Sequence, residues 1–495
     1  MYESEIEKLT IELLEKLGYT YISPESLETE RQRLSDIVLV ERLKSAIERL
    51  NPTLPQTCKD QALKKVLNPT TQNLLENNEA FHLMLTEGVQ TEYFQDGVNR
   101  GANVKIVDYE VISNNEIIVT NQYTVIENNH NKRPDVVILI NGIPVLVIEL
   151  KNAVDENATM ESAYNQLQTY KKVIPSLFTY NTIVIASDGL DAKSGTITSD
   201  LSRFSAWKSI DGVRYDSTTT PQIETMVKGM LKPEVLFDLI RNFIVFERSE
   251  REDAETGQKI ISKAKKIAQY HQYYAVNKAV ESTLRAATGN NDEFSDNPET
   301  YGLPTVENQP KGDHKAGVMW HTQGSGKSLS MVFYTGKIVQ KLNNPTIVVV
   351  TDRNDLDGQL FETFANCKNI LRQEPVQATS ISELKQLLKR EAGGIIFSTI
   401  QKFEPETGKD VFELLSDRSN IVVVADEAHR SHYGFGGKAI VDEKSQNVLM
   451  KYGHAKYIRD AIPNATFIGF TGTPIEKVDA STPAVFGNYI DVYDI

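Results

Sequence analysis

Four short apolar runs, TIVVV (346–350), GIIFST (394–399), NIVVVAD (420–426) and TFIGFT (466–471), are separated by stretches with helical spacing. Runs that are continuously apolar, instead of alternating, belong to strands covered on both faces. Helical connections between such strands require them to lie parallel. The second half of the chain is therefore constrained to an α/β fold with a parallel sheet. The first half is built differently. ESEIEKLTIELLEKL (3–17) places Ile6, Leu9, Leu13, Leu14 and Leu17 on one helical stripe closed by Gly18. Short β-rich runs follow between Val104 and Leu150, then a helical stretch (157–173) and a buried strand, TIVIAS (182–187). This block reads as one α/β unit closing near residue 240.

The charged, apolar-poor stretch 247–268 reads as the junction between the two units, and the Asn-, Asp-, Gly- and Pro-rich stretch 288–315 as a surface loop. The predicted organisation is 1–245, 246–475, and a short remainder, 476–495. A length of 495 residues, 40% of them hydrophobic, fits a few ordinary cores and excludes a disordered tail. The formal net charge of −14 excludes a histone-like basic coat but not a nucleic-acid enzyme with one positive groove. Cys58 and Cys367 lie far apart, without CxxC or a Cys/His cluster, which speaks for a reducing compartment and against zinc. No apolar run approaches a membrane span, and Met1 leads into an acidic amphipathic segment. The expected location is the cytoplasm.

HTQGSGKS (321–328) follows the strand residues 317–320 and precedes an apolar helix. Glycines in that place let backbone N–H groups turn inward around a polyphosphate at a helix N-terminus. Thr322, Gly324, Ser325 and Gly326 would line the loop, Lys327 would sit on the β/γ-phosphates, and the Ser328 hydroxyl on Mg²⁺. His321 stands where the strict phosphate-loop pattern has its first glycine, so the string is a variant. VVVADEAH (422–429) delivers Asp426 and Glu427 from a second strand. Asp426 can hold Mg²⁺ and Glu427 can orient or deprotonate an attacking water, because a buried acidic pair is costly without a cation. His429 would couple nucleotide state to nearby loops, or is structural.

GSGKS, DEAH and FTGTP (470–474), the last containing Thr471, are similar to motifs I, II and III of superfamily 2 helicase-like ATPases. Tyr270 and Gln272 in IAQYHQYYAV resemble the adenine-reading Q motif, where a solvated helix-face Gln is the alternative. TDRNDLDGQ (351–359) and STIQKF (398–403) stand where that group has DNA-tracking motifs, with Thr351, Arg353, Thr399 and Lys402 as candidate backbone contacts.

RPDVVILINGIPVLVIELK (133–151) reads as two strands about Asn141-Gly142. Side chains alternate along a strand, so Glu149 and Lys151 share a face. A strict two-residue turn would pair Asp135 with Ile148 and turn Glu149 away. A three-residue loop with Gly142 in a left-handed bulge would pair Asp135 with Val147 and bring all three charged groups together. The sequence therefore predicts the bulged turn. Two carboxylates on one face suit Mg²⁺, with Lys151 steadying developing charge or the attacking water. A structural Glu149–Lys151 ion pair is the alternative.

The arrangement resembles the PD-(D/E)xK nuclease fold, which carries a mixed sheet. Gln166 and Tyr170 resemble the QxxxY element of a subset of those nucleases, or are core packing. Glu7 would add an acidic group from the first helix, or is surface charge.

In this order, the nuclease and ATPase halves resemble the restriction (R) subunit of type I restriction–modification enzymes. The resemblance runs from ESEIE through VILINGIPVLVIELKN, SAWKSIDG (205–212), NFIVFE (242–247), HTQGSGKS and DEAHRSHYG to FTGTPI. It implies ATP and Mg²⁺ as cofactors, double-stranded DNA as substrate, and methyltransferase and specificity subunits as partners. ATP-driven translocation would precede cleavage at non-specific sites. A stand-alone helicase–nuclease of repair or phage defence is the alternative. Motors of this kind use two RecA-like lobes, and only about twenty residues follow Pro474. The chain is accordingly expected to bind ATP, to hydrolyse it feebly and not to translocate.

Overall fold

The computed structural model describes residues 3–151, 159–216, 220–252, 257, 259–288, 306, 308–351, 354–403, 412–428, 438–441, 448–451, 454–473 and 485–494. The chain divides into two compact units, one of residues 1–246 with 263–270, the other of 247–262 with 271–495.

The first unit is organised on a sheet whose described strands run across it in chain order: Thr20–Tyr21, Ile117–Asn121, Val136–Ile140, Ile143–Leu150, Ile183–Ser187, Ala192–Gly195 and Ser205–Ala206. The sheet is mixed. Val136–Ile140 is antiparallel to both of its neighbours, Ile117–Asn121 and Ile143–Leu150, and Ile143–Leu150 runs parallel to Ile183–Ser187. Both central strands are buried along their whole length, which is why they read as unbroken apolar runs. The Glu3–Lys16 helix buries Ile6, Ile11, Leu13 and Leu14. Met160–Val173 begins at a Thr159–Ser162 capping box and buries Ala163, Leu167 and Tyr170.

In the second unit, seven described strands lie in the spatial order Pro375–Gln377, Ile395–Thr399, Thr346–Thr351, Ile421–Asp426, Thr466–Thr471, Lys315–His321, Tyr489–Tyr493. Every neighbouring pair is parallel. The two halves thus have the mixed and parallel sheets that the sequence predicts. The charged stretch 247–268 differs from expectation. Ile244–Glu252 and Lys259–Ile267 pair as a two-stranded ribbon. Its far strand buries Lys265, whose ammonium donates to the Asn78 side chain (2.9 Å) and the Asn181 carbonyl (2.8 Å). Charge density hid the ribbon, because two-stranded ribbons need no apolar run. Cys58 and Cys367 are both buried, and neither belongs to a disulfide among the described residues. No helix of the described residues is long and apolar enough to cross a membrane.

Candidate active sites

The hairpin that carries the first site turns in two residues. Ile140 pairs with Ile143, and Asn141 and Gly142 both take positive φ, 51° and 80°. That is the primed turn which Asn-Gly favours. The Asn141 amide donates to the Ile106 carbonyl (2.9 Å), while its oxygen accepts from the Glu116 N–H (2.9 Å). A Cβ at Gly142 would lie 2.7 Å from the Leu39 carbonyl oxygen, so both space and conformation exclude a side chain.

The predicted three-residue loop is therefore corrected. The irregularity lies inside the return strand: Leu139 pairs with Pro144 but Ile138 with Leu146, leaving Val145 as the extra residue. Pro144 has no N–H for the ladder, and proline inside a sheet is found at edges and bulges. Beyond the bulge Val136 pairs with Ile148, which sets Asp135 against Glu149 and not against Val147.

These residues meet as a cluster. Lys151 Nζ lies 2.6 Å from Glu149 Oε1 and 4.0 Å from Asp135 Oδ2, and it also donates to the Leu150 carbonyl at 2.8 Å. Asp135 Oδ2 accepts from the Leu150 N–H at 2.8 Å. Glu149 is 1% exposed and Asp135 5%, and Glu149 Oε2 is buried with no hydrogen-bond partner. Burial, and then the facing Asp135, pushes the Glu149 carboxyl up to about 8. Burial likewise pushes Asp135 up to about 6. For Lys151 burial acts downward, but Glu149 and Asp135 outweigh it and hold the ammonium above its ordinary value.

Glu7 is joined to this cluster through an amide that the sequence reading missed. Asn121 Nδ2 and Gln122 Nε2 donate to its two oxygens at 2.7 and 2.8 Å, and Gln122 Nε2 also lies 3.2 Å from Asp135 Oδ1. An Asn-Gln pair just past a strand carries no distinctive signal of its own. From the Met160–Val173 helix, the Tyr170 hydroxyl donates to the Arg133 carbonyl (3.4 Å) and interacts with Gln166 and Glu149. Burial raises its pKa first, and Glu149 adds to the effect.

Among the described residues, no three His, Cys, Asp or Glu side chains gather as a ready metal cage. The donor set does fit a divalent cation that keeps much of its water. Asp135 and Glu149 supply two carboxylates, one with an orphaned buried oxygen, and hard cations such as Mg²⁺ take few protein ligands.

The second site lies at the C-terminal edge of the parallel sheet, where α/β sheets bind ligands. Lys315–His321 leads into the loop, Ile421–Asp426 ends in the acidic pair, and Thr466–Thr471 runs between these two strands. Gly324 and Gly326 take φ of 94° and 84°, and the Lys327–Lys341 helix starts directly after them. Lys327 Nζ lies 3.0 Å from Asp426 Oδ1 and also contacts Glu427 Oε1. Burial lowers the Lys327 pKa, but Asp426 and Glu427 outweigh it, so the ammonium stays above its ordinary value. The Glu427 backbone is left-handed, with φ of 50°, and its N–H is capped by Asp426 Oδ1 at 2.9 Å. Thr322 Oγ1 and Ser325 Oγ are buried without partners. Ser328 is partly exposed at the start of the helix. Thr471 is buried, its hydroxyl bonded to the Thr473 carbonyl at 3.0 Å. A Cβ at Gly472 would lie 3.9 Å from Lys327 Nζ, which sets the third motif beside the loop.

Tyr270 and Gln272 part company. Tyr270 falls in the first unit, edge-on to Trp207 and Tyr215 at centroid distances of 6.4 and 6.3 Å. Gln272 falls in the second, where its amide donates to the Gly326 carbonyl (3.0 Å) and the Ser330 hydroxyl (3.4 Å). Thr351 and Thr399 are buried at strand ends, and Lys402 Nζ lies 3.4 Å from Thr399 Oγ1. Arg353, His429 and Pro474 lie outside the described residues.

Residues 1–203 match the family "Type I restriction enzyme R protein N terminus", and residues 271–495 match "SWI2/SNF2 ATPase". The chain is 42% identical over 504 residues to the Type I restriction enzyme HindI endonuclease subunit of Haemophilus influenzae, an alignment that covers all of this chain and 44% of the relative. A Methanocaldococcus jannaschii relative, provisionally described as the type I restriction enzyme MjaIXP endonuclease subunit, is 35% identical over 516 residues, covering 99% of this chain and 44% of that one. The chain thus spans less than half the length of these curated relatives. The helicase domain of Pyrococcus furiosus Hef aligns over 35% of each chain at 20% identity with a TM-score of 0.25, a likeness too slight to carry an argument. With a mixed-sheet unit matching the R protein N terminus, followed by a parallel-sheet unit matching an ATPase, the chain belongs to the family of type I restriction enzyme endonuclease (R) subunits.

Proposed function

We propose that the chain supplies the DNA-cutting site and one nucleotide-binding lobe of a type I restriction enzyme. The whole enzyme would hydrolyse ATP to pull flanking double-stranded DNA and then cleave it at non-specific sites. In this reading residues 1–245 form a PD-(D/E)xK endonuclease domain and 246–475 the first RecA-like lobe of a superfamily 2 motor. The stretch 476–495, expected as the start of a connection to a second lobe, includes Tyr489–Tyr493, which completes the edge of this lobe's sheet. Methyltransferase and specificity subunits would be the partners, and the cytoplasm the place of action.

The observation that carries the proposal is the buried meeting of Asp135, Glu149 and Lys151, with one Glu149 oxygen left without a partner. Asp135 and Glu149 would hold Mg²⁺, which when bound polarises a phosphodiester and favours hydroxide over water. Glu149 fixes the Lys151 ammonium through its other oxygen. So placed, the ammonium can hold the attacking water or neutralise charge growing on the phosphate. Gln122 keeps Asp135 and Glu7 in register, and Tyr170 with Gln166 shields the cluster from the helix side.

At the second site, Lys327 would bind the β/γ-phosphates, Ser328 and Asp426 the Mg²⁺ that accompanies ATP, and Glu427 the attacking water. Thr322, Gly324, Ser325 and Gly326 would line the phosphates. Gln272 would face the base, and His429 and Thr471 would relay nucleotide state; Tyr270, expected beside Gln272, packs instead on Trp207 and Tyr215 within the first unit.

The test is cleavage of a supercoiled plasmid by a full-length assembly with ATP and Mg²⁺. Lys151→Ala is expected to lower cutting by about 10²-fold or more. Cutting at the unsubstituted rate would refute the nuclease assignment.

A further inference from the structure

His321 occupies the place where the strict phosphate-loop pattern has a glycine, and the surroundings of its ring show what it does there. The imidazole is 2% exposed, with Nε2 3.1 Å from Asp491 Oδ2. Its Nδ1 is buried with no hydrogen-bond partner; because an ionised carboxylate can only accept, Nε2 is the donor to Asp491. The other Asp491 oxygen accepts from Lys278 Nζ at 3.0 Å. Burial alone would raise the Asp491 carboxyl, but His321 and Lys278 hold it below its ordinary range.

Two residues further along the same edge strand, the Tyr493 ring stacks on His271, with centroids 3.9 Å apart and planes 5° apart. His271 Nε2 in turn lies 3.1 Å from the Ser325 carbonyl inside the loop. The Tyr493 carbonyl accepts from the Thr322 N–H at 3.1 Å. Side chains at i and i+2 share a face of a strand, so Asp491 and Tyr493 act together. Between them, side chains and backbone tie down residues 321, 322 and 325 of the loop that carries Gly324 and Gly326. A loop ordered before the phosphates arrive loses less entropy on binding them.

We propose that the Tyr489–Tyr493 strand positions the phosphate loop, through Asp491 on His321 and Tyr493 on His271, so that nucleotide affinity depends on these two side chains. This rests on the reading of residues 321–328 as a nucleotide site. Asp491 and Tyr493 are positioning residues and not catalytic ones.

The experiment titrates a fluorescent ATP analogue into the chain and into its Tyr493→Leu, Tyr493→Phe and Asp491→Ala variants, and follows thermal unfolding of each. Loss of the ring stack or of the charge-assisted hydrogen bond should weaken binding about tenfold. Tyr493→Phe keeps the ring and should restore affinity to within about twofold of the unsubstituted chain. A merely structural role would move the unfolding midpoint and would not discriminate Phe from Leu. If Asp491→Ala fails to fold, the two Tyr493 variants decide. Full affinity in Tyr493→Leu, or equal loss in Leu and Phe, overturns the inference and leaves the nucleotide site standing. Absence of binding by the unsubstituted chain overturns the nucleotide reading itself.

Discussion

Asp135 and Glu149 stand opposite one another because Val145 is one residue more than its partner strand can match. Two carboxyls so placed, both nearly excluded from water, resist ionising together. Burial pushes the Asp135 pKa up to about 6, and burial followed by the charge of Asp135 pushes that of Glu149 up to about 8. A divalent cation binds the ionised forms, so its affinity should climb as pH rises between about 6 and about 8, with protons released on binding. Manganese titration followed by electron paramagnetic resonance should show at least about a tenfold gain between the ends of that window. A flat profile would mean that these carboxylates are not the ligands.

The same shifts set a stability profile without metal. A carboxyl whose folded pKa is raised favours the folded state at low pH. Its contribution is full below its ordinary value of 4.5 and is lost as pH rises through about 8. In chelator, the chain should therefore lose stability across that interval. Glu149→Gln, which cannot ionise, should unfold at a higher temperature than the unsubstituted chain near pH 9 and lose that advantage near pH 5. Parallel melting curves of the two proteins at both pH values test the sign.

Gly142→Ala should destabilise the first unit by about 2 kcal/mol or more, because a side chain there meets the Leu39 carbonyl oxygen in a backbone region that L-residues rarely adopt. Urea unfolding followed by circular dichroism measures it, and an unchanged midpoint would contradict the turn described here.

Much of this was legible in the sequence because the signals are local. Parallel strands read as continuous apolar runs, and Gly324, Gly326 and Lys327 lie within a few residues of one another. Asp135, Glu149 and Lys151 were expected to share a face, and they do, but the expected route was wrong. Asn141-Gly142 does form its usual tight turn, and the extra residue sits beside Pro144, the position where a strand must break its ladder. What stayed hidden depends on residues remote in sequence. Gln122 bridging Glu7 to Asp135, and Asp491 reaching back 170 residues to His321, become neighbours only once the sheets are assembled.

At the nucleotide site Lys327 is held between Asp426 and Glu427. Lys327→Ala removes the cation proposed to meet the phosphates and leaves two adjacent carboxylates without it. In a full-length subunit carrying this sequence, phosphate release from ATP should fall by about 10²-fold or more. Undiminished hydrolysis would place the nucleotide elsewhere.

The central claim is that cutting belongs to the first unit and ATP hydrolysis to the second. The most direct measurement assays a full-length assembly bearing Glu149→Ala for plasmid cleavage and ATP hydrolysis in one reaction. The predicted result is cleavage lowered by about 10²-fold or more with hydrolysis preserved. Cleavage at the rate of the unsubstituted assembly would contradict the account.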